Sequence, residues 1–329
     1  MDFALSPDQE LLRDTARQLL ERECPTTLLR AHIENPAATD PLWRHLRDFA
    51  ALGDGPLTDL CVFLEETGYV AAPGPFFPTV ALFTPLLATV GHELLAPALA
   101  GEVTGTVAVA GADGIWAAND DRVKTFVPEA DRVDWVAVVT TGPTVTLVQS
   151  PETRSVATVD FSRRFFEVDA ASASGPGQAI DAEAFESVLE RATIASAAEM
   201  VGTARRLFDM ALAYAKERVQ FAVPIGSFQA IQHKLADMAL DLERATSAVA
   251  YAAMTVDAKD ADRHRAAHVA KAAAGTAATR AAKDGIQIHG GIGYTWEHDL
   301  HLFIRHAYGS ESWMGTTAWH HDRLADLLL

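Results

Sequence analysis

Apolar residues recur along this chain with two different periods, and the places where the period changes divide it. In the N-terminal segment Leu11, Leu12, Ala16, Leu19 and Leu20 recur at helical spacing, which predicts an amphipathic helix. Its start is written in "SPDQ": Ser6 as the cap, Pro7 at the first helical position and Gln9 completing a capping box. A second helix is expected around "PLWRHLRDFAAL". A third runs through "LTDLCVFLEETGYV" and stops before "APGPFFPTV", which reads as a Pro/Gly loop. From about Val103 the runs become short and β-branched: "GTVAVAG", "VKTFVPEA", "DWVAVVTT", "TVTLVQS" and "SVATVDFS", divided by Gly, Pro, Asp and Asn. After the small-residue linker "ASASGPGQ" the helical period returns at Asp181. Leu207, Met210, Ala211 and Tyr214 then share one face, and Phe228, Ile231, Leu235, Met238 and Leu242 another. The Ala-rich "AAHVAKAAAGTAATRAAKDGIQIHG" suits closely packed helices. The fold class expected is α+β, mainly α: an N-terminal helical domain over 1–102, a shortened middle β-domain over 103–172 and a C-terminal helical bundle over 180–329. No internal repeat is evident.

Composition narrows the partners. With 329 residues and 49% hydrophobic content the chain can bury a large core. Its 27 basic and 44 acidic residues give a net charge of −17, which would repel nucleic acid, and no basic run points to a membrane surface. The most apolar stretch, "VALFTPLLATVGHELLAPALAG", is interrupted by Pro85 and carries His92 and Glu93, so it reads as a buried helix pair rather than a span. Cys24 and Cys61 suit a reducing compartment and no disulfide framework. The start "MDFALSPDQE" has an acid at position 2 and no apolar run, so no secretory signal is expected and the expected location is the cytoplasm.

Two stretches carry candidate chemistry. In "YAKERVQFAVPIGSFQAIQHKLADM" a helix should end near Arg218, with the next starting at or beside Ser227. Arg218 offers a planar fork to an anion, Phe221 a stacking face, and Gln229 lies where helix N–H groups are free. The same residues are compatible with an ordinary helical hairpin bearing a surface arginine. In "DGIQIHGGIGYTWEHDLHLFIRHA", Gly290 and Gly291 follow a helix and permit a left-handed cap with close backbone approach, with Gln287 one turn earlier. No strand precedes them, so this is not the dinucleotide fingerprint. His264 with His268, and His298 with His301, have metal-ligand spacing, but no motif places a third ligand and no metal is expected. Trp296, Trp313 and Trp319 read as core or interface anchors, with Trp313 a candidate wall of a pocket.

Together the two stretches resemble the acyl-CoA dehydrogenase family, through R-x-Q-F-x-x-P-I-x-x-F-Q-x-x-x-x-x-L-A-D-M and the later Q-x-x-G-G-x-G-Y. "LSPDQELLRDTARQLLERE" resembles that family's first helix and "VKTFVPEADRVDWVAVV" its middle β-domain. The resemblance implies a C-terminal four-helix bundle and FAD held at a subunit interface. It assigns cofactor contacts to Arg218, Gln220, Phe221, Gln229, Gln287, Gly290, Gly291 and Thr316, with Ala222 in place of the usual glycine after Phe221. It implies FAD-dependent α,β-desaturation of an acyl-CoA thioester, from fatty-acid β-oxidation or a steroid side chain. That reaction needs a base to take the α-proton. Met314 and Val219 stand at the two family positions for that base, and neither can accept a proton. The family loop that holds the flavin ring is replaced by "VAVAGADGIWAANDD".

An incomplete catalytic set beside a complete cofactor-contact set resembles the non-catalytic partner in short heteromeric members, of the kind found in actinobacterial steroid breakdown. The expectation is a chain that completes a shared FAD site, in a heterotetramer whose second acyl-CoA dehydrogenase-like subunit supplies the base. Two alternatives stand beside it. One is a homo-oligomer with a displaced base, Glu311 or Glu217; the other is a catalytically dead scaffold that binds acyl-CoA or a protein.

Overall fold

The computed structural model describes residues 3–328, so the acid at position 2 lies outside the described residues. Six helices come first: α1 (Pro7–Glu23), α2 (Thr26–Glu34), α3 (Asp40–Leu46), α4 (Leu57–Val70), α5 (Thr84–Val90) and α6 (Leu95–Leu99). The capping box at α1 is formed: the Gln9 N–H donates to Ser6 Oγ at 3.2 Å and the Ser6 N–H to Gln9 Oε1 at 3.0 Å. The segment expected to be a loop, "APGPFFPTV", departs from that reading. Ala71 closes α4 in the left-handed conformation, and Pro78–Phe83 then forms a π-helical turn that runs into α5. Phe76, Phe77, Val80, Leu82 and Phe83 are all buried there. Burial of five large apolar side chains outweighs the turn signal of the Pro and Gly residues, and Pro78 and Pro85 sit at the first positions of helical segments, where a missing N–H costs least.

Strands follow in two sheets. One has the order β1 (Gly105–Ala108), β3 (Trp135–Thr140), β4 (Thr144–Val148), β7 (Gln178–Ala179); the other β2 (Val123–Pro128), β6 (Phe165–Asp169), β5 (Thr153–Val156). Strands β1 and β3 run parallel, and the other pairs in these two sheets are antiparallel. The run "SVATVDFS" is strand only as far as Val156. Beyond it Asp160 and Ser162 turn inward to His306, at 2.9 and 2.8 Å from its Nδ1, so their polar groups are spent on a buried cluster rather than a ladder.

Helices α7 (Ala182–Glu217), α8 (Gln229–Asp257), α9 (Arg263–His289), α10 (Leu300–Ser312) and α11 (Thr317–Leu328) complete the chain. A short hairpin, β8 (Val219–Gln220) and β9 (Val223–Pro224), joins α7 to α8. Helix α7 is the spine. It lies against α4, α8 and α9, and at its closest crossing with α4 both helices carry glycine. A Cβ placed on Gly68 would stand 1.9 Å from the Glu199 carbonyl oxygen, and one on Gly202 would stand 1.8 Å from that of Glu65. Among the described residues no helix is long and apolar enough to cross a membrane.

Glycine inside a helix is ordinarily about 1 kcal/mol worse than alanine, so Gly202→Ala would stabilise an isolated α7. The contact with α4 reverses the sign. We expect Gly202→Ala and Gly68→Ala each to destabilise the protein by about 1–3 kcal/mol or more, read from the midpoint of chemical denaturation; an unchanged or raised midpoint would show that the two backbones do not meet there.

Candidate functional site

The residues of the two motifs gather at one end of the bundle. Helix α7 ends with the Arg218 N–H bonded to the Tyr214 carbonyl at 2.9 Å. The chain then reverses through a two-residue turn in which Phe221 and Ala222 both have positive φ, 54° and 64°. That geometry matches the twist of a hairpin but strains two residues that carry a Cβ. The strained turn holds Phe221 out in solvent, 90% exposed. Helix α8 starts with exposed Gln229 and runs back along α9, with Lys234 of α8 paired to Asp284 of α9 and Arg280 of α9 to Asp241 of α8. This pairing sets the C-terminal end of α9, with Gln287, Gly290 and Gly291, beside the start of α8. The Tyr214 ring stacks on His289 at 4.5 Å and braces the ends of α7 and α9 together.

Gly290 has φ 64° and ψ −141°, which is not the left-handed helical cap expected from the sequence but a region open essentially to glycine alone. A Cβ on Gly290 or Gly291 would meet nothing within 4 Å, so the backbone there forms an open shelf. Arg218 is exposed and forms no side-chain hydrogen bond or ion pair among the described residues, and Gln229 and Gln287 form no side-chain hydrogen bond. Gln220 donates to the Val219 carbonyl at 2.9 Å. Around this ledge Val219, Val223, Phe228, Ile292 and Tyr294 are exposed apolar or aromatic surface.

Thr316 is not part of the ledge. It lies in the turn between α10 and α11, where Gly275 of α9 faces Thr317. From Gly275 to Gly290 α9 rises about 22 Å. Met314 occupies that same turn, buried, with φ 61°, next to Gly315 with φ 97°. The turn is pinned from beneath. Buried Lys271 of α9 donates to the carbonyls of Ser310 (3.2 Å), Glu311 (3.2 Å) and Gly315 (3.0 Å), satisfying the C-terminal end of α10. Burial pushes the Lys271 ammonium down to about 7. His320 Nε2 lies 3.1 Å from the Met314 carbonyl. Glu311 Oε1 accepts the Thr317 N–H at 2.7 Å, capping α11. Glu217, by contrast, is exposed in the last turn of α7.

Trp313 is the centre of an aromatic cluster, with the rings of Phe77, Phe165 and Trp116 at 5.2, 5.5 and 5.6 Å. The buried Arg163 guanidinium stands 5.0 Å from the Trp313 ring centroid, donates to Ser310 Oγ at 2.9 Å and pairs with buried Glu199. Two cavities border Met314. One, of about 380 Å³, is walled by Trp116, Phe126, Phe165 and Trp313. The other, of about 330 Å³, is lined by Glu190, His264, His268, His320, Trp116 and Trp319. The histidines at metal-ligand spacing are separately engaged: His264 pairs with Glu190, His268 with His320, His298 packs edge-on against His289, and His301 stacks on Trp296. Among the described residues no group of three or more His, Cys, Asp or Glu could hold a metal. Lys271, Arg163 and His320 are site residues that spacing does not single out. The one signal is a lone lysine on the buried side of an alanine-rich helix.

Residues 182–329 match the family described as acyl-CoA dehydrogenase, C-terminal domain. The chain is 31% identical over 324 residues to the acyl-CoA dehydrogenase IpdE2 of Mycolicibacterium smegmatis, covering 94% of this chain and 96% of that protein. Among solved structures it is similar to the Tcur3481–Tcur3483 steroid ACAD, with a TM-score of 0.87 at 27% identity over 98% of this chain and 97% of that one. It shares its fold with a chain of the ChsE4–ChsE5 complex from Mycobacterium tuberculosis, with a TM-score of 0.86 at 24% identity over 100% of this chain and 99% of that one.

The Lys271 contacts make a prediction with a sign. Lys271→Met strands three carbonyls and should destabilise the protein by about 1–3 kcal/mol at pH 7. The folded-state value of about 7 lies below the ordinary lysine value of 10.5. Between those values the unfolded chain binds a proton that the folded chain does not, so wild type should gain stability over Lys271→Met as pH rises through that window. Denaturation midpoints of the two proteins from pH 7 to 10 read this directly; a gap that narrows with pH contradicts it.

Proposed function

The chain belongs to the acyl-CoA dehydrogenase family, and from that premise we propose that it is the subunit of a heteromeric acyl-CoA dehydrogenase that completes an FAD site shared with an unlike partner. Members of the family are flavoproteins, and the residues of the ledge fit the group. Arg218 is a free bidentate donor for a diphosphate, Phe221 a free aromatic face, Gln229 and Gln287 free amides, and Gly290–Gly291 an open backbone shelf. FAD, when bound, supplies acceptance of the hydride from the β-carbon of an acyl-CoA thioester; the residues of this chain hold and orient it.

The observation that carries the reading is a distance. The ledge lies at the C-terminal ends of α7 and α9, whereas Met314 and its cavities lie beside the opposite half of α9. His268, in the wall of one cavity, and His289, at the ledge, are separated along α9 by about 30 Å. The Met314 turn itself, level with Gly275, stands about 22 Å from the ledge along α9, and this separation supports a flavin whose reacting ring sits in another polypeptide. The exposed apolar rim around the ledge suits cover by such a neighbour. Two further points favour an unlike neighbour. Met314 and Val219 cannot take a proton, and Glu311 is committed to capping α11, so a second copy would bring no base at the family positions. A solved relative of this fold, ChsE4–ChsE5, is a complex. The Tcur3481–Tcur3483 relative is described as a steroid ACAD, which favours a steroid-derived acyl-CoA over a simple fatty acyl-CoA. We place the assembly in the cytoplasm as a heterotetramer, with domains over 1–102, 103–172 and 180–329.

The test is co-expression with a short acyl-CoA dehydrogenase-like chain that carries a glutamate at one of the two base positions. The complex should purify yellow and desaturate an acyl-CoA, and this chain alone should do neither. Arg218→Ala in the complex should weaken FAD retention about 10- to 100-fold, the loss of one charged hydrogen-bonding group worth about 1.5–3 kcal/mol. Full desaturase activity from the isolated chain, or unchanged flavin affinity in Arg218→Ala, rules the arrangement out.

A further inference from the structure

The cavity beside Met314 contains a pair of histidines whose hydrogen bonds determine where their protons are. His320 Nε2 faces the Met314 carbonyl oxygen at 3.1 Å. A carbonyl only accepts, so this nitrogen carries a hydrogen. His320 is almost fully buried, and burial, together with nearby Lys271, pushes it down to about 3, so its ring is neutral and its Nδ1 is bare. His268 Nδ1 lies 2.8 Å from that bare nitrogen and must be the donor. Burial first, then Arg323 and His264, also holds His268 below the usual histidine value. A neutral His268 with its hydrogen on Nδ1 has its lone pair on Nε2, the ring nitrogen turned away from His320. His268 lines the cavity, and so does Met314, on whose carbonyl the relay ends.

We propose that His268 is a proton acceptor for an acyl thioester held in the cavity beside Met314, and that His320 is the positioning residue that keeps the His268 Nε2 lone pair free. The proposal rests on the acyl-CoA reading above and concerns this chain's own cavity, not the flavin site it completes for a neighbour. In the step, the α C–H bond of the thioester breaks, its proton goes to His268 Nε2, and the electron pair remains as the enolate. The proton then returns from His268 to the same carbon. Nothing is oxidised, so no flavin is required, and the observable result is exchange of the α-hydrogen with solvent. Glu190 is the rival acceptor in the wall: His264 holds one of its oxygens, while the other is buried without a hydrogen bond, 3.4 Å from Arg263, and the Glu190→Gln arm below separates the two. The charged and titratable groups around His268 are Glu186 and Glu190 on α7, His264 on its own helix, His320 and Arg323 on α11, and Asp113 on the loop across the cavity.

The experiment uses the full chain expressed without a partner, incubated with butyryl-CoA or a longer acyl-CoA in D₂O, with deuterium at the α-carbon read by mass spectrometry. Wild type should incorporate deuterium above the buffer rate. His268→Gln should lose it by about 100-fold or more, while Glu217→Gln retains it. His320→Gln frees the His268 tautomer and should change the pH profile of exchange as well as its rate. A second readout needs no substitution: ¹⁵N NMR of the histidines at pH 7 should show His268 protonated on Nδ1 and bare on Nε2. No exchange by wild type, equal exchange by His268→Gln, loss with Glu190→Gln but not with His268→Gln, or hydrogen on His268 Nε2 would each overturn the proposal. A chain that exchanges yet takes up flavin with no partner would sink the shared-site reading and leave this one standing.

Discussion

The contact on which the rest of this protein depends is the crossing of α4 and α7 at Gly68 and Gly202, where the backbone of each helix occupies the space a side chain of the other would need. It holds the N-terminal helices to a single long rod and leaves that rod no freedom to slide, because a close-packed crossing has few alternative registers. Helix α9 runs beside the same rod in the same direction: Glu190 meets His264 near one end, and Tyr214 stacks on His289 near the other. The two helices therefore act as parallel rails. Whatever sits at one end is set at a fixed distance from whatever sits at the other, so the ledge and the Met314 turn are held apart as two separate sites.

The Met314 turn shows how much structure can be invested around a residue that has no acid–base chemistry of its own. Left-handed backbone at a methionine is strained, and it persists because the surroundings over-determine it. Three carbonyls rest on the Lys271 ammonium, the Met314 carbonyl on His320, and the first N–H of α11 on Glu311. Burying a lysine to hold a turn is a demanding arrangement, as its lowered proton affinity shows. The Trp313 side chain, enclosed by Phe77, Phe165, Trp116 and Arg163, fixes the other side of the same turn. The loop geometry is thus preserved by contacts that do not involve the side chain at position 314, so its chemistry is free to change without loss of the fold.

Much of the local structure is legible in the sequence because it is specified locally. The Ser6–Gln9 capping box and the run of α4 from Leu57 to Val70 follow from residue type and spacing. The ledge was legible as residues, since Arg218, Phe221 and the glycine pair fall in recognisable stretches; the strained turn that exposes Phe221, and the conformation of Gly290, were not. The elements that escaped are those decided by long-range burial. "APGPFFPTV" has the composition of a loop, but its phenylalanines are in the core and the backbone coils to put them there. Glu311 reads as an available acid until α11 places an N–H against it. His268 reads as half of an i,i+4 metal pair until a residue fifty-two positions away claims its Nδ1. For the phenylalanines and for His268 the deciding partner is far along the chain, and for Glu311 it lies across a turn whose shape is set by Lys271, so spacing carries no information about it.

The two ends of the rails differ in the kind of hydrogen-bonding groups they present, and this difference argues for a division of labour. The ledge offers donors: a guanidinium with no counter-ion among the described residues and two side-chain amides, beside an open glycine shelf. The cavity of about 330 Å³ offers acceptors: Glu186, Glu190 and Asp113, with a neutral imidazole lone pair among them. A diphosphate would be attracted to the first and repelled by the second, in a protein whose net charge of −17 already makes a lone, unpaired arginine conspicuous. The chemistry that each end can perform follows from that polarity. Donors hold an anion in place, while acceptors can take a proton from a neutral ligand, and some 30 Å of helix keeps the two tasks from interfering.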